Sequence, residues 1–260
     1  MNESGMSSHI LKVQNLHKFF GELAAVNDVS FQINEGEIVG LIGPNGSGKT
    51  TLFNTISGVY KPDKGEIYFK DRRIDGLKPY QIYRLGLTRS FQIPRIFNKV
   101  TVAENFMIAP RNQKGEKPIF APIHRIWDSQ EKTLSEATAR LLARLNLDSV
   151  YRSWATEVSG GQMKLTEIGR TLASGNVSLV LLDEPTAGVA PLLAHEIFKF
   201  IQKTRSQYGI SFFIIEHRLD LLFKYVDRVM VMHQGKIIAD GTPREVTENP
   251  EVIEAYLGEV

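Results

Sequence analysis

The chain has 260 residues, 42% hydrophobic and 23% charged, with a formal net charge of +2. That is enough for one large domain or a domain with a subdomain, ordinary for a soluble globular protein, and too nearly neutral to predict nucleic-acid binding. It contains no cysteine, which excludes disulfides, thiol catalysis and Cys-ligated metals and fits a cytosolic protein.

The polar Met1–Ser8 lacks the apolar core of a signal peptide and reads as a frayed leader. Ile10–Val13 and the alternating Val29–Ile33 read as antiparallel strands, the second closed by a turn at Asn34-Glu35-Gly36. Glu37–Ile42 is a buried strand, and Thr51–Ile56 is the start of a helix with one apolar face. Between them runs Gly43-Pro44-Asn45-Gly46-Ser47-Gly48-Lys49-Thr50, the pattern G-x-x-x-x-G-K-[ST] of a phosphate-binding loop in the strand–loop–helix context it requires. Its glycines let successive backbone N–H groups point into one concavity, and the helix N-terminus adds partial positive charge. Lys49 is placed to reach the β- and γ-phosphates of a nucleotide, and the Thr50 hydroxyl to hold Mg²⁺.

A turn cluster at Gly58–Gly65 precedes a strand at Glu66–Phe69, and residues 79–85 form a short helix leading into Thr88-Arg89-Ser90-Phe91-Gln92. From about 94 to 175 strand patterns disappear. Val102–Met107 and Asp128–Leu145 read as helices, the second with Leu134, Ala137, Leu141, Leu142 and Leu145 at helical spacing, and Pro110, Pro118 and Pro122 punctuate a basic connection between them. This is a helical insertion into an α/β core. Strands resume at Ser178–Leu182 and Ile210–Ile215. Residues 228–232 and 236–239 form a hairpin around His233-Gln234-Gly235, and a last helix covers Pro250–Leu257. No apolar run approaches the length of a membrane span.

Two further stretches carry chemistry. Leu179–Leu182 delivers Asp183 and Glu184 at the carboxyl end of a buried strand, where open α/β sheets bind ligands. Asp183 suits Mg²⁺ opposite Thr50, and Glu184 is placed to polarise an attacking water. Val158-Ser159-Gly160-Gly161-Gln162 precedes a helix whose apolar face includes Leu165, Ile168 and Leu172. Ser159 stands as a cap, and the glycine amides behind it make either a simple helix cap or a second anion site. A helix terminus contributes only about 0.3–1 kcal/mol to an exposed charge, so one such site is useful when it completes another.

With these residues in order, nearly the whole chain resembles the ATP-binding cassette family. Gly43–Thr50, with Thr51, matches the Walker A loop, Gln92 the Q-loop glutamine, Val158–Gln162 the L-S-G-G-Q signature with Val for Leu, Leu179–Asp183 Walker B, Glu184 the catalytic glutamate and His217 the switch histidine. Phe20 occupies the place of the aromatic that stacks on adenine, with a core aromatic as the other reading of that residue. Ala190 stands where many cassettes carry Asp, so no role is carried onto it. Thr88–Gln92, the long insert to Trp127, Gly161–Arg170 and the ending Val252–Gly258 look like the ATPase subunits of branched-chain amino-acid importers; urea/amide importers and the lipopolysaccharide-export ATPase share much of this pattern.

The resemblance implies an α/β P-loop NTPase core with an N-terminal antiparallel β subdomain and an inserted α-helical subdomain carrying the signature. It implies one cassette over 9–260, with 9–93 and 176–260 as catalytic core and about 94–175 as helical subdomain. It also implies ATP and Mg²⁺ as ligands, with Thr50, Gln92 and Asp183 at the metal and Lys49, Glu184 and His217 in catalysis. Ser159, Gly160, Gly161 and Gln162 would close over ATP in the phosphate loop of a second, identical or sister, chain in a head-to-tail dimer. The expected setting is the cytoplasmic face of a membrane, attached to separate permease subunits, with no nucleic-acid partner. DNA-repair or ribosomal cassettes are the rival class, but they carry long coiled coils or two cassettes per chain. A P-loop kinase has no place for the signature or for His217. A cassette that binds ATP as a regulatory clamp is opposed by Glu184 and His217.

Overall fold

A computed structural model describes residues 9–90 and 96–257. They belong to two compact units, one comprising Met1–Arg89, Ser178–Pro185 and Ile201–Val260, the other Ser90–Val177 and Thr186–Phe200.

The first unit holds two sheets. In the four-stranded sheet the order is β2 (Leu23–Asn34), β1 (His9–Phe20), β4 (Lys64–Phe69), β5 (Arg72–Arg73), all antiparallel. Strand β1 runs seven residues beyond the Ile10–Val13 read from sequence. The alternation that marks a strand breaks inside it: Asn15 takes a left-handed φ of 44°, its N–H donates to Ser30 Oγ at 2.8 Å, and Leu16 rather than Asn15 turns into the core. A bulge of this kind moves the buried positions from one parity to the other.

The six-stranded sheet has the order β10 (Lys236–Gly241), β9 (Arg228–His233), β3 (Ile38–Ile42), β8 (Ser211–Ile215), β7 (Leu179–Asp183), β6 (Leu87–Arg89). All its neighbours are parallel except the β9–β10 hairpin. Strands β3, β7 and β8 are buried at every position, as continuous apolar strands of a covered parallel sheet must be. Helix α1 (Lys49–Ile56) contributes Leu52, Phe53 and Ile56 to one core that also takes Leu11, Val13, Ile33, Leu41, Leu181 and Met230. Phe53 and Phe31 both pack on Phe213, at 5.0 and 5.5 Å between ring centroids. Helix α2 (Pro79–Leu85) covers the residues expected of it and ends on Gly86.

The second unit is helical: α3 (Val102–Met107), α4 (His124–Arg144), α5 (Gly160–Ala173) and the start of α6 (Pro191–Tyr208). Helix α4 begins four residues before the expected Asp128, and its inward face differs by one position: Thr138 is buried while Ala137 is exposed. Thr138 and Leu142 are the buried positions of α4, and Leu145 and Leu147 just after it are buried too, as are Phe106, Leu165 and Ile168 in the same unit. Gly169 lets Phe106 lie against α5, since a Cβ there would run into the Phe106 ring. The short helices α7 (Leu219–Leu222) and α8 (Pro243–Thr247) and the expected α9 (Pro250–Leu257) complete the chain. The expected α/β class, with an antiparallel sheet and an inserted helical unit, is borne out.

Candidate nucleotide site

Strands β3, β8 and β7 are adjacent and parallel, so whatever follows them emerges at one edge of the sheet. The phosphate loop follows β3, His217 stands two residues after β8, and Asp183 ends β7 with Glu184 next in line. Three separate stretches of sequence are brought together by strand order alone.

The loop is shaped from behind. Gly43 and Gly48 have φ of 145° and 105°, and a Cβ on either would run into a carbonyl oxygen, that of Met232 on β9 for Gly43 and that of Ala25 on β2 for Gly48. Only glycine permits both the dihedral and the approach. The hairpin turn between β9 and β10 then props the loop: Gly235 N–H donates to the Ser47 carbonyl at 3.0 Å, and Asn27 N–H donates to the Gly235 carbonyl at 2.8 Å. Pro44 is half-buried, Asn45 and Gly46 are exposed, and Ser47 is buried. Lys49 is buried, and its ammonium donates to the Gly43 and Pro44 carbonyls at 2.7 Å each and to Ser47 Oγ at 3.3 Å. Gly48 caps α1 without a side-chain hydrogen bond, so no cap side chain takes up the first-turn amides beside exposed Thr50 and half-buried Thr51, the kind of helix end that suits an anion.

Asp183 and Glu184 have different surroundings. The Asp183 side chain is 4% exposed and ion-paired. Glu184 sits at φ 50°, a left-handed conformation that costs a non-glycine residue about 1 kcal/mol or more. Its amide donates to the Ile215 carbonyl at 2.9 Å, extending the β7–β8 ladder by one bond and turning its carboxylate away from that of Asp183 toward His217. His217 Nε2 lies 3.0 Å from Glu184 Oε1 and donates to it in the Nε2–H tautomer. The buried Glu216 accepts from the His217 amide at 3.0 Å.

Phe20 is 44% exposed at the end of β1, which removes its reading as a core aromatic. Its ring meets Tyr60 edge-on at 5.3 Å, and the Lys18 ammonium lies 5.6 Å from its centroid. The neighbouring Phe19 amide donates to Asp63, which also pairs with Lys18; the Phe19 bond, foremost, holds the Asp63 carboxyl below its ordinary range.

In the second unit, Ser159 caps α5 as expected, and Gln162 answers it: Ser159 Oγ accepts from the Gln162 amide at 3.3 Å and Gln162 Oε1 accepts from the Ser159 amide at 2.9 Å. This is a capping box, which leaves Gly160 and Gly161 to supply the other first-turn amides. Ser159 and Gly160 are exposed, and a Cβ on Gly161 would run into Leu193. Ala190 is exposed. Gln92 lies outside the described residues.

Arg89 was legible in the sequence only as part of a family stretch. It is 7% exposed on the short strand β6, and its guanidinium donates to Asp183 Oδ2 at 3.0 Å, Asn54 Oδ1 at 2.6 Å and Ser57 Oγ at 3.1 Å. Arg89 closes the three-residue strand Leu87-Thr88-Arg89, and a nearly buried cation there requires a partner, which the pairing of β6 with β7 supplies in Asp183.

Among the described residues no three of His, Cys, Asp and Glu gather as a metal cage. One buried carboxylate and one exposed hydroxyl at the loop form the partial donor set that Mg²⁺ takes when phosphate oxygens and water supply the rest. The residues present therefore fit a nucleotide-borne Mg²⁺.

Residues 26–187 match the ABC transporter family, and residues 236–260 match the branched-chain amino acid ATP-binding cassette transporter family. The chain is 43% identical over 254 residues to the probable branched-chain amino acid transport ATP-binding protein LivG of Methanocaldococcus jannaschii, covering 96% of this chain and 98% of that one. It is 38% identical over 257 residues to the high-affinity branched-chain amino acid transport ATP-binding protein LivG of Escherichia coli, covering 98% and 100%. A crystal structure of the ADP conformation of an ATP-binding cassette of an ABC transporter superposes with a TM-score of 0.82 at 42% identity, over 96% of this chain and 99% of that one. The chain belongs to the ABC transporter family, as one of its ATP-hydrolysing cassettes.

Proposed function

We propose that this cassette hydrolyses ATP to drive import of branched-chain amino acids through separate permease subunits, as a peripheral protein of the cytoplasmic membrane face. The observation that carries the catalytic part is the Glu184–His217 contact at 3.0 Å, at the sheet edge where the phosphate loop begins. The solute follows from the relatives' names and from the match over residues 236–260. Among the described residues no helix is long and apolar enough to cross a membrane.

The chemistry is γ-phosphoryl transfer to water, for which a protein supplies positioning and charge stabilisation. The loop amides and Lys49 hold the phosphates; Lys49 already lies among the loop carbonyls it leaves when phosphate oxygens compete for its protons. Phe20 offers its exposed face to adenine. Thr50, Asp183 and Gln92 would hold Mg²⁺, which would supply charge neutralisation to the bound triphosphate. Glu184 accepts the proton of the attacking water, and His217 holds the Glu184 carboxylate and reaches toward the γ-phosphate. The exposed Ser159 and Gly160 of a second chain, with Gly161 behind them, complete each site, so that two cassettes meet head to tail around two ATP molecules. Closure is then a two-state event that ATP contacts bias.

Glu184→Gln keeps the size and loses the base. The expected outcome is loss of phosphate release, with ATP retained and dimers trapped on size-exclusion chromatography. Phosphate release by this variant at the parent rate removes Glu184 as the base. Uptake of labelled leucine into vesicles holding the cassette and its permeases tests the solute; uptake of urea or an amide instead selects the second reading of the subfamily marks.

A further inference from the structure

We propose that Arg89 is a positioning residue for phosphate chemistry, locking the Asp183 carboxylate to the helix that carries Lys49 and Thr50. The proposal rests on the function given above and adds a residue to it. The fork joins two elements. One end holds Asp183 Oδ2 at the close of β7; the other holds Asn54 Oδ1 and Ser57 Oγ on and just after α1. Ser57 is oriented for this, because its hydroxyl donates to the Phe53 carbonyl at 2.7 Å and leaves oxygen lone pairs to accept from Arg89. The guanidinium carbon lies 5.8 Å from the Phe53 ring centroid, and Phe53 is fully buried, so the core fixes the plane of the fork. Backbone pairing places Arg89 opposite Leu181, two residues before Asp183.

The chemistry selects arginine. Three acceptors on two elements require donors at fixed angles from one rigid plane, which a lysine ammonium lacks. The ion pair is nearly buried at both ends, 7% and 4% exposed, so salt screens it little and loss of one member takes the counter-charge from the other. The metal-binding carboxylate and the metal-binding hydroxyl helix thereby move as one body, which is what a partner behind a metal ligand supplies.

The test measures binding as well as stability. Nucleotide binding by the purified chain is followed with methylanthraniloyl-ATP while Mg²⁺ is titrated, and thermal unfolding is followed without nucleotide. Arg89→Met is expected to raise the Mg²⁺ midpoint about tenfold while metal-free nucleotide binding stays within about twofold. Its unfolding midpoint is expected to fall by about 6–12 °C, and adding Asp183→Asn to restore about half of that fall by removing the charge whose counter-charge is gone. Arg89→Lys should restore thermal stability more than the Mg²⁺ midpoint. A Mg²⁺ midpoint that stays at the parent value in both Arg89 variants, or no recovery with Asp183→Asn, reduces Arg89 to packing and overturns the proposal. Where Arg89→Met does not fold, Asn54→Ala removes only the α1 end of the fork, and an unchanged Mg²⁺ midpoint there is equally fatal. Absence of Mg²⁺-dependent nucleotide binding in the parent chain would instead sink the proposed function itself, so the two failures are separable.

Discussion

Glu184 and His217 follow different strands, β7 and β8, and their 3.0 Å contact exists because those strands pair with Asp183 opposite Ile215. Asp183 stays inside with Arg89, while Glu184, turned by its positive φ, is partly open to solvent beside His217. Two adjacent carboxylates thus stand in different environments, one nearly buried against a guanidinium and the other partly open beside an imidazole, which suits the separate tasks proposed for them. His217→Ala should lower kcat about a hundredfold, the scale of a lost proton-transfer or charge-positioning partner, while nucleotide affinity shifts less than about threefold. Steady-state kinetics and a direct binding titration separate the two. Equal loss of kcat and affinity makes His217 a binding residue only. The residue types at this site were legible in the sequence; the Glu184–His217 contact was not, because a hydrogen bond between residues 33 apart depends on strand order.

Helix termini show what an element can declare for itself. The Ser159–Gln162 box lies within four residues, so its cap was visible in the sequence. The Thr101–Glu104 box at the start of α3 is built alike, with Thr101 Oγ1 accepting from the Glu104 amide at 3.2 Å and Glu104 Oε2 accepting from the Thr101 amide at 2.7 Å. The bond from the Thr101 amide, and then that from its hydroxyl, hold the Glu104 carboxyl below its ordinary range. A depressed folded pKa adds stability above the unfolded value, and that stability is lost as pH falls through the folded value. Thr101→Ala should cost about 0.5–2 kcal/mol at neutral pH, or a few degrees in unfolding midpoint. The gap to the parent should narrow below about pH 4 as Glu104 protonates. Thermal scans at neutral and acid pH check this; a gap that widens on acidification rejects the assignment. Strand β1 is the counterexample. Its bulge at Asn15 is held by Ser30 and Asp28 on β2, so period-two reading stopped at Val13.

The whole molecule carries one copy of each motif, and its signature cap lies at the surface of the second unit. If each ATP is enclosed by two chains, specific ATPase activity rises with protein concentration and levels off as dimers saturate, and Ser159→Ala lowers hydrolysis far more than nucleotide binding by the monomer. Activity per mole that is constant through dilution, with equal loss of monomer binding in Ser159→Ala, places both nucleotide walls in one chain.

The sequence by itself determined the local chemistry. The phosphate loop, the paired carboxylates and the α5 cap are contiguous stretches whose backbone demands appear in neighbouring residue types, above all in where glycine stands. Tertiary structure alone decided what those stretches face. Arg89 reached Asp183 because β6 pairs with β7, and the phosphate loop took its curve against Ala25, Met232 and Gly235 because β2 and the β9–β10 turn lie behind it. The phase of α4 followed Leu142 and Leu145 into their core, burying Thr138 in place of Ala137. Each of these is a contact between distant parts of the chain, selected by packing and by pairing of buried charge, and such contacts leave no periodic trace in the residues that make them.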